Sequence, residues 1–305
     1  MRVNITVVTH QRLALTRLCL ESLLPTVAGK DVRVTVVDNG SNDGSRDYLT
    51  ALAGNWPHMV LHLLPRNMGV AVAANYGWAD CDADYYMKLD NDIEILKADW
   101  LDALLAIADA NPDLGQLGYC CCPWHAIEAM TLPSGHRFRS GGACNGACVL
   151  IPRHAHAALG FWNEDYGRYG YEDLDYNNRA LLHGYRIGYA DDDNAVAHRG
   201  FERDVDENRE NAKKRNLDTV IAGEKLYLLN KFLFEEKIRD LYVPRKYLPS
   251  CGTGGKDGRS GIRFSMDPAY QPILRLQQDL LARVSYTVDG DTVSLDLSSF
   301  RDALS

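Results

Sequence analysis

The chain has 305 residues, 46% hydrophobic and 24% charged, which is enough to bury one large core with a smaller appendage. Its formal charge of −8 arises in residues 1–200, where 24 acids face 16 Lys and Arg, while residues 201–305 carry 17 of each. Overall acidity argues against general nucleic-acid binding; without an apolar run of 18 residues or a signal-peptide layout, no transmembrane helix and a cytoplasmic location are expected.

In chain order, residues 4–9 are β-branched and apolar and predict a strand, followed by leucines at helical spacing until Pro25. Residues 32–38 predict a second buried strand, closed by turn residues Asn39-Gly40-Ser41 that lead into a helix through Leu52. Residues 59–64 predict a third strand and 69–79 an Ala-rich helix. The next strand ends in Tyr86-Met87-Lys88-Leu89-Asp90-Asn91-Asp92. Strands alternating with helices indicate an α/β domain with a mainly parallel sheet, whose ligands bind at the carboxyl ends of the strands.

That rule brings four turns to one edge: Thr9-His10-Gln11-Arg12, Asp38-Asn39-Gly40-Ser41, Arg66-Asn67-Met68-Gly69 and Asp90-Asn91-Asp92. Each alone is explicable as capping or turn chemistry; their joint occurrence suggests a binding edge. If strand geometry persists, Asp90 and Asp92 share a face and two carboxylates converge, suiting a hard divalent ion and a diphosphate. Asp38 is a candidate acceptor for the ring N–H of uracil or thymine, and Arg66 a candidate phosphate or ribose contact. A Gly-rich phosphate loop after the first strand is absent, which counts against a P-loop or dinucleotide fingerprint.

A helix is predicted over 98–109 and strands over 116–122 and 148–152. The small-residue segment 141–147 is suited to close backbone approach. After Tyr169-Gly170-Tyr171, a helix starts at Glu172 and Asp173 and is capped by Gly184; two acids at its start fit simple capping as well as catalysis. Strands follow over 186–190 and 195–198, the latter ending in His198. The eight cysteines, Cys120, Cys121 and Cys122 adjacent among them, suit a reducing compartment and inert buried thiols.

Together these ordered motifs, with Asn75 in Ala74-Asn75-Tyr76-Gly77 and Leu174-Asp175 after Asp173, resemble family 2 glycosyltransferases of the GT-A fold over about the first 200 residues. The resemblance implies a GT-A (Rossmann-like) catalytic domain at 1–200 and inverting sugar transfer from a UDP- or dTDP-sugar to an acceptor hydroxyl. It implies Mn²⁺ or Mg²⁺ held by Asp92, Asp90 and His198, and Asp173 as base with Glu172 beside it. Donor binding would fall to Thr9, Gln11, Arg12, Asp38, Asn39, Arg66, Asn67, Gly69, Asn75, Asp90 and Asn91. A glycan or lipid-linked acceptor is the expected partner, ahead of a protein side chain or nucleic acid.

Residues 201–305 predict an extension related to acceptor or assembly. It contains an amphipathic helix over 217–242, a basic Gly-rich mobile loop over 242–263, a helix over 271–284, and a hairpin over 285–295 turning at Asp289-Gly290. The apolar helix face is expected to pack on the catalytic domain, with homo-oligomer contact or peripheral membrane association as its other uses. The competing functional class is a non-catalytic nucleotide-sugar-binding or assembly protein of the same fold, which needs no proton acceptor at Asp173.

Overall fold

The computed structural model describes residues 1–121, 128–168, 170–200, 230–231, 247–251, 262–266, 286–289 and 292–295. Strand β1 (Val3–Thr9) is buried at all seven positions, as expected of a strand covered on both faces. It lies between β2 (Val32–Asp38) and β4 (Tyr85–Asp90), parallel to both, and β3 (Met59–Leu63) extends the sheet beyond β2. Helices α1 (Leu13–Val27), α2 (Ser45–Asn55) and α3 (Val70–Trp78) alternate with these strands.

Beyond β4 comes β9 (Cys148–Pro152), antiparallel to β4 and to β6 (Leu114–Gly118); β10 (Arg186–Ala190) then runs parallel to β6. An antiparallel edge of β8 (Arg137–Ser140) and β7 (Glu128–Thr131) completes the order β3-β2-β1-β4-β9-β6-β10-β8-β7. The central strands are therefore mainly parallel, with β9 the reversed one. Side chains such as Val3, Ile5, Val7, Val36, Met87 and Leu150, all fully buried, fill the core. Burial of each contributes on the order of 1.5–3 kcal/mol relative to exposure. A separate ladder pairs β5 (Ile93–Ile95) with β11 (Val196–His198), and α4 (Trp100–Ala110), α5 (Arg153–Leu159) and α6 (Glu172–Leu182) complete the domain.

Several elements differ from expectation. Helix α1 runs through Pro25 to Val27, because burial of Leu23, Leu24 and Val27 outweighs the one backbone hydrogen bond that Pro25 cannot donate. Strand β6 ends at Gly118, four residues earlier than the sequence pattern suggests. The expected basic mobile loop contains β12 (Tyr247–Cys251), which pairs antiparallel with β13 (Ile262–Met266). The final hairpin is present as β14 (Tyr286–Asp289) against β15 (Thr292–Leu295). The helix expected over 271–284 lies outside the described residues, as does that over 217–242 apart from helical Asn230 and Lys231.

Candidate active site

The turns after β1 to β4 are stitched to one another at the carboxyl edge of the sheet. The backbone N–H of Gln11 donates to Ser41 Oγ at 2.8 Å, and that of Asn39 to the Thr9 carbonyl at 2.8 Å. The Asn39 side chain donates to Asn67 Oδ1 at 3.1 Å and the Gly69 carbonyl at 3.0 Å, while its own Oδ1 accepts from the Met68 N–H. Asn91 Nδ2 donates to Thr16 Oγ1 at 2.8 Å and lies 3.3 Å from Thr9 Oγ1. Asn39, Asn67 and Asn91 thus use amide groups to brace the edge. Asp38 is fully buried; its Oδ2 accepts from Arg46 Nε at 2.8 Å and from the Ser41 N–H, and its Oδ1 has no hydrogen-bond partner. Arg66 is exposed, with Nε 3.4 Å from the sulfur of Met68.

Strand geometry ends at Asp90, and Asn91 and Asp92 form a turn, so the alternation that would aim both carboxylates alike does not extend to Asp92. Each acid instead meets its own cation. Asp90 Oδ1 accepts from the ammonium of Lys88, a lysine only 3% exposed. Partial burial raises the pKa of Asp90; Lys88 opposes the rise, and the charge of Asp92 adds to it. Asp92 Oδ2 accepts from Arg12 Nη1 at 2.8 Å. Its Oδ1 is buried without a hydrogen-bond partner, 3.7 Å from His198 Nε2. The β5–β11 ladder delivers that imidazole by setting His198 opposite Ile93. Gly200 closes the cluster: a Cβ there would lie 2.3 Å from Asp92 Oδ2 and 2.9 Å from His198 Cε1, so only glycine leaves the carboxylate its place.

Among the described residues no group of three or more His, Cys, Asp or Glu side chains could hold a metal ion. Asp92 Oδ1 with His198 Nε2 is a two-ligand arrangement, which fits an ion whose remaining positions go to water and phosphate oxygens.

The other half of the site is the start of α6. Tyr171 turns the chain with φ of 74°, and Glu172 and Asp173 follow in the first turn. Asp173 Oδ2 accepts from the Gly146 N–H at 3.2 Å, and the next residue, Ala147, accepts the Asp90 N–H at 2.8 Å. The small-residue segment therefore joins the two acidic centres. A Cβ on Gly146 would stand 2.8 Å from the Trp162 ring and 3.3 Å from Asp173 Cβ, which accounts for the glycine. Burial pushes the Glu172 carboxyl up to about 7; the charge of Asp173 adds to the rise, and Lys88 opposes it.

The loop leading into this turn is held from two sides. Asn75 is buried in α3 and donates to the Trp162 carbonyl and to Glu164, so it supports the loop from the sheet side. Val70, just after Gly69, donates to the Arg168 carbonyl. Asn230, fully buried, donates from Nδ2 to the carbonyls of Tyr166 at 2.6 Å and Gly170 at 3.3 Å. Sequence reasoning passed over Lys88, Asn230 and Gly200. A signal existed for Lys88, a lysine inside an apolar strand and two positions before Asp90, hence on its face.

Residues 4–154 match the model of glycosyl transferase family 2. Over that stretch the chain belongs to this family. No curated protein matches the chain. The fold of this family 2 enzyme is that of GT-A glycosyltransferases, as its solved neighbours show. The mannosyltransferase PcManGT from Pyrobaculum calidifontis, in complex with GDP-Man and Mn²⁺, superposes with a TM-score of 0.55 at 18% identity, covering 92% of this chain and 70% of that one. GalNAc-T7 with UDP, GalNAc and Mn²⁺ gives 0.53 at 13% identity over 65% of this chain, and TarS from S. aureus gives 0.50 at 17% identity over 65%. The chain spans only 44% and 36% of the latter two.

Proposed function

We propose that the protein is an inverting, metal-assisted glycosyltransferase that moves a sugar from a UDP- or dTDP-sugar to a hydroxyl of a glycan or lipid-linked acceptor. The observation that carries this reading is the pairing of two centres across segment 145–147: Asp92 with His198 and Arg12 on one side, Glu172 and Asp173 on the other. The neighbours support it, since PcManGT is bound to GDP-Man and Mn²⁺ and GalNAc-T7 to UDP and Mn²⁺.

A hydroxyl is a weak nucleophile at neutral pH and needs a base within hydrogen-bond reach. Asp173 takes the acceptor proton as its oxygen bonds to the anomeric carbon, while the bond to the diphosphate oxygen breaks and its electron pair leaves with the nucleotide. The backbone N–H groups of Gly146 and Leu174 fix the Asp173 carboxylate for this role. Glu172, with its raised pKa, retains a proton up to near neutrality and bonds the acceptor rather than competing for the proton. A divalent ion, Mn²⁺ or Mg²⁺, when held by Asp92 and His198, supplies Lewis-acid stabilisation of the leaving diphosphate. Asp38 addresses the base once its buried, unpartnered Oδ1 is uncovered, Arg66 the phosphates, and Asp90 the ribose. Residues 201–305 serve the acceptor side. No helix of the described residues is long and apolar enough to cross a membrane; a cytoplasmic enzyme accords with that.

The test is a thermal-shift and donor-hydrolysis screen of nucleotide sugars with Mn²⁺, Mg²⁺ or chelator, followed by transfer assays on Asp173→Asn. A ligand specific for the native state raises the melting temperature. The expected result is metal-dependent stabilisation by one donor, lost in Asp92→Ala, with Asp173→Asn retaining donor binding and losing transfer. Stabilisation without any turnover in the wild type would instead establish a binding protein.

A further inference from the structure

Arg12 occupies a position that the local backbone strains to create. Gln11 and Arg12 both have left-handed backbone, with φ of 56° and 63°, at residues that are not glycine. Such conformations are costly for side-chain-bearing residues and persist where surrounding contacts over-determine them. Here the Gln11 N–H is held by Ser41, its side chain by Asn42, and the Leu13 N–H by Asp43 Oδ2 at 3.0 Å. The Arg12 carbonyl caps α1 by accepting from Leu15 and Thr16. This bracing sets guanidinium Nη1 on Asp92 Oδ2, with Gly200 leaving room for both groups.

The pair is unsymmetrical. The Asp92 side chain is 6% exposed and the Arg12 side chain 37% exposed. The acid is fixed inside, whereas the guanidinium approaches it from the more exposed side. Asp92 Oδ2 is committed to Arg12, while Oδ1 beside His198 accepts no hydrogen bond. An incoming divalent ion therefore meets a carboxylate whose charge is already balanced, and Coulomb repulsion from Arg12 opposes it. A diphosphate removes that obstacle, because its oxygens offer the guanidinium a bidentate partner, whereas Asp92 Oδ2 accepts from Nη1.

We propose that Arg12 is an exchangeable cation: it neutralises Asp92 until a nucleoside diphosphate draws its guanidinium away, and so couples binding of the ion to binding of the diphosphate. This deepens the function proposed above and rests on its metal site. Coupling of this kind is reciprocal, and a factor of about 5–150 is typical.

The experiment measures Mn²⁺ affinity by electron paramagnetic resonance of the free ion, for wild type, Arg12→Met and Asp92→Asn, each alone and with UDP, dTDP or GDP. Circular dichroism and melting confirm folding. Wild type is expected to bind Mn²⁺ weakly alone and at least ~10-fold more tightly with one diphosphate. Arg12→Met is expected to bind Mn²⁺ alone roughly 10-fold more tightly than wild type and to gain only a few-fold from the diphosphate. If Asp92→Asn loses Mn²⁺ but Arg12→Met matches wild type in both states, the exchange is overturned and the metal site stands. Mn²⁺ binding that survives Asp92→Asn, or is absent in every combination, overturns the metal site and the exchange together. Should Arg12→Met not fold, Arg12→Lys, which keeps the charge but loses the bidentate fork, is expected to keep weak Mn²⁺ binding alone and to lose most of the diphosphate gain; retention of the full gain would overturn the exchange.

Discussion

Lys88 sets its ammonium against Asp90 from inside the sheet, the lysine 3% exposed and the acid 32%. The charge on a buried lysine is tolerated only because this partner balances it, and the Trp162 ring lies 5.7 Å from the same nitrogen.

Lys88→Met is therefore expected to destabilise the protein by about 2 kcal/mol, below the range for fully enclosed pairs because Asp90 is partly open. The double variant Lys88→Met/Asp90→Asn should recover part of that loss, since it leaves no unpaired charge. Urea unfolding of the single and double variants measures this; strict additivity would show that the two side chains do not depend on each other.

Burial raises Glu172 to about 7 and Asp175 to about 6, from 4.5 and 3.8. Both are acids with raised folded-state values, so between pH 4 and 7 the unfolded chain binds fewer protons than the folded one. Stability from these groups is greatest at low pH and falls as pH rises through that window. Glu172→Gln should remove its share, and its melting temperature relative to wild type should climb between pH 5 and pH 8. The gain is on the order of 1–3 kcal/mol at the upper end. A difference that stays flat with pH would contradict the burial argument.

Asn230→Ala removes both donors to the loop before Glu172 and leaves two buried carbonyls short of a partner. A cost of about 1–3 kcal/mol follows. Hydrogen exchange should accelerate at 166–173 while protection in β1 and β4 holds. Uniform acceleration across the sheet would mean that Asn230 supports the whole domain.

Gly200→Ala puts a methyl group 2.3 Å from Asp92 Oδ2 and 2.8 Å from Arg12 Nη2. These are side-chain ends that can shift, so folding should survive with a melting temperature within a few degrees of wild type. Transfer activity should fall at least ~10-fold, because a displacement of about 1 Å suffices for such losses. Unchanged activity would show that the Asp92 geometry is not needed.

Much of residues 1–200 was legible because the signals there are local. The buried runs of β1 and β2, the turns after them and the acids opening α6 each announce themselves within a few residues. Strand β7 did not, since all of Glu128–Thr131 is exposed and carries no apolar pattern. Helix α5 buries only Ala155 and Leu159, too few positions to establish a period. Strand β13 does alternate, as Ile262-Arg263-Phe264-Ser265-Met266, but the Gly-rich basic residues before it favoured a loop. At the site, the sequence located the asparagines yet could not show where their amides point. Asn39, Asn67, Asn75 and Asn91 hold backbone and neighbouring side chains in place. The acids were found for the same reason of spacing, but their separate cations come from other elements.

The β5–β11 ladder joins residues about a hundred positions apart, with His198 opposite Ile93. A chain emerging from the ribosome folds from its N-terminus, and long-range pairings close late. Arg12 and Asp92 are both available once the first four strands are made, before Glu172, Asp173 or His198 have been synthesised. The imidazole contact with Asp92 closes 106 residues of chain against 80 for the guanidinium, and its partner is made later.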